Sequence, residues 1–176
     1  MARAVDLEIT TKDGPIDFDS VMSGQQDAHI YCRRFELSSM SPVDVKTGAT
    51  KGTREYSGIK IEKRLDKSSP KLIELFVAGT GLKASFQIHK ANNASELTAG
   101  EVAMTVTIGD PDFKAWISSY RLLVPDVEKH AKDDPDEPYE EIVFSFTTVE
   151  FHKSGTGYDG RPHEIVIQDS LVGTGR

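Results

Sequence analysis

One cysteine stands in a chain of 176 residues. A lone thiol excludes an intramolecular disulfide, and Cys32 alternates with Ile30 on a strand-like run, the pattern of a buried thiol. No apolar run approaches the roughly 20 residues that a transmembrane helix needs. The first ten residues mix Arg3, Asp6 and Glu8 with apolar neighbours and have no continuous apolar core, so no secretory signal peptide is expected there. If the protein leaves the cell, it takes another route.

Positive charge is also short. The net charge of −7 leaves one local cluster of cations, Lys60, Lys63, Arg64, Lys67 and Lys71. Glu62 and Asp66 interrupt it and no aromatic residue lies within it for base stacking, which argues against nucleic acid as a partner. Catalytic spacing is missing too. No Gly-x-Ser-x-Gly surrounds Ser68 or Ser69, and the five histidines show neither H-x₃-H nor H-E-x-x-H spacing. His152 and His163 flank one hairpin but are read as hairpin residues, not zinc ligands. The acidic residues Asp133, Asp134, Asp136 and Glu137 lack the spacing and central glycine of a calcium loop. Gly155-Thr156-Gly157-Tyr158-Asp159-Gly160 matches a dinucleotide fingerprint on paper, but a strand follows it where a helix would be needed to hold a pyrophosphate. No catalytic, cofactor or metal site is expected.

What the chain does have is alternation with a period of two. Val5, Leu7 and Ile9 share one face; so do Ile59, Ile61 and Leu65, with Lys60, Glu62 and Arg64 opposite. Leu82, Ala84, Phe86 and Ile88 form another such set, followed by Val102, Met104, Val106 and Ile108. One helix is expected, over about residues 70–78. Ser69 is placed to cap it, Pro70 suits its first position, and Gly79 suits the left-handed residue that ends it. Leu72, Ile73, Leu75, Phe76 and Val77 would give its apolar face. Along residues 115–123 and 141–151 large apolar groups fall on both faces. That requires a change of register, for which Thr147-Thr148 is a candidate, or a second surface that covers the outer face. Residues 39–57 read as a long loop of the functional or mobile kind.

Composition and alternation together indicate a single domain of residues 1–176, mainly β: an antiparallel two-sheet β-barrel or sandwich with one short α-helix. The run Ile59-Lys60-Ile61-Glu62-Lys63-Arg64-Leu65-Asp66-Lys67-Ser68-Ser69-Pro70-Lys71-Leu72, continued through Gly79 to Leu82-Lys83-Ala84-Ser85-Phe86, resembles the Hcp family, the tube proteins of the bacterial type VI secretion system. Asp66, Lys67, Ser69, Pro70 and Leu72 carry the helix-start motif. The early Gly-Glu of the family appears here as Gly24-Gln25, and its aromatic second strand as the weaker run from Tyr31 to Leu37.

The resemblance implies a structural protein without turnover, made in the bacterial cytoplasm and exported without a signal peptide. It implies hexameric rings that stack into a tube inside a contractile sheath, with a VgrG-type spike and small effector proteins in the lumen as partners. A phage-type tail tube subunit shares that architecture; a secreted effector enzyme is the reading from another class. A ring needs a contact between two different patches. Trp116, Tyr120, Val143, Val149 and Phe151 are its candidates. The apolar Val43 and Val45, flanking Asp44, make their loop the candidate stacking element.

Overall fold

Alternating side chains become eleven strands and one helix in the computed structural model, which describes residues 5–16, 29–49, 55–89, 102–124, 138–156 and 162–170. The elements are β1 (Val5–Thr11), β2 (Gly14–Pro15), β3 (Ile30–Cys32), β4 (Arg34–Met40), β5 (Glu55–Arg64), α1 (Ser69–Ala78), β6 (Leu82–His89), β7 (Val102–Ile108), β8 (Ala115–Leu123), β9 (Tyr139–Phe146), β10 (Thr148–Thr156) and β11 (Pro162–Ser170). Every strand pairing is antiparallel. The protein is mainly β with one short helix, and its sheet curls into a half-barrel.

Two groups of strands face each other. One runs β4-β5-β9-β8; the other runs β3-β1-β6-β7-β10-β11. They form one continuous sheet because Leu82 of β6 pairs with Ala115 of β8. Gly109 makes that joint possible: at φ 80° a Cβ on it would lie 2.4 Å from the carbonyl oxygen of Leu82 and 2.9 Å from the amide of Ala115. The space between the groups is filled from both sides. Phe86 packs edge-on against Phe35, with centroids 5.2 Å apart, and against Phe144, 5.6 Å apart. Leu7, Ile9, Ile59, Ile61, Leu82, Ile108 and Ile142 complete the buried core.

The structure corrects several local expectations. The helix begins at Ser69, and Ser68 occupies its N-cap without a side-chain cap bond. The Asp66 carboxylate instead accepts from the amide of Ser68 at 2.8 Å, so the turn is held one step earlier than expected. Gly79 does take the left-handed conformation, φ 59°, and its amide closes the last turn onto Phe76. Of the helix's apolar residues only Leu72 and Leu75 are buried; Ile73, Phe76 and Val77 are exposed to differing degrees. Leu65 lies past the end of β5 and is half exposed, while Lys63 takes the inward position after Ile61.

The two-faced segments resolve separately. In β8 the register shifts between Ile117 and Ser119, which turns Tyr120 inward beside Ile142. Residues 141–151 belong to two strands, β9 and β10, that break at Thr147, so the inward sets are Ile142, Phe144 and Phe146, then Val149. The long loop is shorter than expected, because β4 and β5 pair as far as Met40 and Glu55. No described helix is long and apolar enough to cross a membrane.

Candidate functional site

An inward-facing lysine on a strand must find partners or leave the core. Lys63 is fully buried, and its Nζ donates to the carbonyl of Arg64 at 2.8 Å, to Asp66 Oδ1 at 2.9 Å and to Ser69 Oγ at 3.2 Å. It also contacts Glu140 Oε1, a carboxylate that is equally buried. Ser69 Oγ donates to the same oxygen at 2.6 Å and accepts from the amide of Asp66 at 3.0 Å. The hydroxyl of Tyr120 donates to Glu140 Oε2. Burial, then that hydrogen bond and the carboxylate's charge, push the Tyr120 hydroxyl well above its ordinary range. Its ring stacks on Phe76, with centroids 6.4 Å apart.

An amine beside a serine hydroxyl is the arrangement of a serine–lysine nucleophile. Here it cannot act as one. Ser69 is 2% exposed, its proton is already directed at Glu140, and Lys63 and Glu140 have no exposed surface. The cluster binds the start of α1 to β5, β8 and β9. Sequence reasoning treated Lys63 as a surface cation. The signal was present: continuing the alternation of Ile59 and Ile61 puts residue 63 inside, as the alternation of Ile142 and Phe144 does for residue 140.

A groove of about 270 Å³ opens between β7, β10 and β11, with Thr107, Asp110, Thr148, Glu150, Gln168 and Asp169 among its walls. Each of its carboxylates is engaged: Asp110 with Lys83 Nζ at 2.8 Å, Glu150 with Gln168 Nε2 at 2.6 Å, and Asp169 with the hydroxyl of Tyr56 at 2.9 Å. Among the described residues no set of three metal-ligating side chains comes together. His152 lies against Glu164 on the neighbouring strand. The acidic segment 126–137, the Asn93-Ala94-Ser95 triplet, Gly24-Gln25 and the side chain of His163 lie outside what the structure describes.

The residues expected at a ring contact are dispersed. Trp116 is 37% exposed and points outward; Val143 is half-buried on the outer side of β9. Tyr120 belongs to the ionic cluster. Val149 is buried in the chain's own core and Phe151 packs against that core, so these two leave little surface for a neighbour. Val43 and Val45 are exposed, Val45 almost completely. Between them Asp44 organises a turn: its Oδ1 accepts from the amide of Lys46 at 2.8 Å and its carbonyl from Gly48 at 2.7 Å. Its own amide donates to Ala49 at 2.8 Å, which makes this part of the loop a structured tip. Sequence reasoning missed a further exposed set, Ile165, Val166 and Ile167 on β11.

A family model described as "Type VI secretion system effector, Hcp" matches residues 13–152. No curated protein matches the sequence. Among solved structures, an Hcp1 mutant from the E. coli EAEC 042 pathovar is similar at a TM-score of 0.68 and 19% identity, over 97% of this chain and 99% of that one. Hcp1 from Salmonella typhimurium is similar at 0.62 and 17%, over 96% and 95% of the two chains. Hcp3 of Pseudomonas aeruginosa, described as a secreted protein, reaches 0.59 and 18%, over 92% and 97%. At these identities the structures establish the shared fold.

Proposed function

Since this chain belongs to the Hcp family of type VI secretion proteins, we propose that it is a structural subunit of the secretion tube and performs no turnover. Six copies close into a ring, rings stack into a hollow tube inside a contractile sheath, and the tube is expelled with a VgrG-type spike. Small effector proteins travel in the lumen. The protein is made in the bacterial cytoplasm and exported by this machine.

The family match over residues 13–152 carries this reading. The chemistry of the chain agrees with it. Among the described residues the one cluster that looks reactive is sealed, and exposed apolar residues lie on helix, strand and loop surfaces, where another protein surface can cover them. Stacking is assigned to the loop bearing Val43 and Val45, whose structured turn presents an apolar side chain to whatever lies above it.

Native mass spectrometry of the purified protein at micromolar concentration tests the ring. The expected species has the mass of six 19.4 kDa chains. A monomer across the whole concentration range overturns the proposal.

A further inference from the structure

Two rims of the curled sheet end differently. Among the described residues β11 pairs only with β10, and β4 only with β5. β11 is nine residues long, and its consecutive residues Ile165, Val166 and Ile167 are each about half exposed. Cross-strand pairing sets their directions. Ile167 lies beside Phe151, so Ile167 and Ile165 share the inner face, while Val166 lies beside His152 on the outer one. A long rim strand that is apolar on both faces templates association, and folded monomers avoid it.

β4 offers a matching deficit. Its inner residues Phe35 and Leu37 pack against the core but stay half-buried at the rim, while Arg34 and Glu36 point outward into solvent. A strand laid along β4 would finish their burial if it carried apolar groups on its inner face. β11 carries them at the required spacing of two. An antiparallel register, as everywhere else in this sheet, sets Ile167 beside Phe35, Ile165 beside Leu37, and Val166 beside Glu36.

We propose that β11 of one copy adds as a strand to the β4 rim of the next copy. This rests on the ring proposed above and names its contact. Pairing of β11 with another β11 would give a two-fold dimer and leave Phe35 and Leu37 uncovered. The β11-to-β4 contact joins two different patches, so each copy gives its β11 to one neighbour and its β4 to the other, which is what a closed ring requires.

Paired cysteines in the full chain test it. Cys32 is buried and stays silent under native oxidation. The chain carrying both Glu36→Cys and Val166→Cys should give a ladder of disulfide-linked copies on a non-reducing gel, and neither single variant should. A linked dimer from Val166→Cys alone overturns the proposal in favour of the two-fold contact. No ladder from the double variant, with its ring intact by native mass spectrometry, overturns the proposal and leaves the ring standing. A wild-type chain that never assembles removes the ring and the contact together. Ile165→Asp with Ile167→Asp should abolish rings while far-UV circular dichroism stays unchanged; a persistent ring in that variant also overturns the proposal.

Discussion

Lys63 shows how one buried charge is tolerated. Removing an ammonium and a carboxylate from water costs about what their attraction returns, so the pair adds little net stability; breaking it exposes the full cost, about 3–5 kcal/mol. Lys63→Met should therefore lower unfolding stability by about 3–5 kcal/mol in urea, and adding Glu140→Gln should cost much less than the sum of the two single changes. Cys32 makes a simpler case. Burial pushes its thiol well above the ordinary range, so it stays protonated and inert in the fold. A thiol reagent should label it only as fast as the chain unfolds. Because the folded thiol titrates above the unfolded one, its contribution to stability is whole below the unfolded value of 9.0 and is lost as pH rises beyond it. Rapid labelling under native conditions would contradict the burial.

Within elements, burial sets the order of costs along α1. Leu72 is fully buried, and Leu72→Ala should cost about 2–5 kcal/mol. Phe76 is 36% exposed and leans on Tyr120, so Phe76→Ala should cost about 1–2 kcal/mol, less than a fully buried phenylalanine would. Denaturant melts that reverse this order would mean that the helix sits on its other face. The helix was legible because Pro70 and Gly79 impose backbone geometry that few other elements can use. The strands were legible because one buried face enforces a period of two. The register shift in β8 was legible only as one of two explanations for apolar groups on both faces; its position was not, because Ile117-Ser118-Ser119-Tyr120 contains neither glycine nor proline, and pairing with β9 reveals it. Ser69 has the position of a cap, yet its hydroxyl serves the nearby Asp66 amide and Lys63 and donates to Glu140, a partner distant in sequence. Any contact decided by two far segments is invisible to local pattern. The same limit hid the apolar rim of β11, where nothing in the run 164–167 says that both faces are left open.

At the scale of the molecule, strand pairing joins the two groups at Leu82 and Ala115 among the described residues. Gly109→Ala would force a side chain against the Leu82 carbonyl, at a conformational cost of about 1–2 kcal/mol before any clash is counted. The variant should melt earlier and assemble poorly, as thermal unfolding and native mass spectrometry would record; an unchanged melt would show that the joint yields. Assembly of rings into tubes should respond to a different region. Val43→Asp with Val45→Asp lies outside the core and should leave rings intact while reducing tubes and tube-dependent secretion. Electron microscopy separates the two, and normal tubes would place the stacking contact elsewhere. The buried lysine finally bears on how the chain reaches this state. Its side-chain partners sit at positions 66, 69 and 140, and the last of them is made long after α1. Until β9 arrives, seating α1 would strand an ammonium away from water with its main counter-ion missing. A nascent or truncated chain that stops at β8 should therefore keep its helix undocked, and native structure should appear late, in one cooperative step.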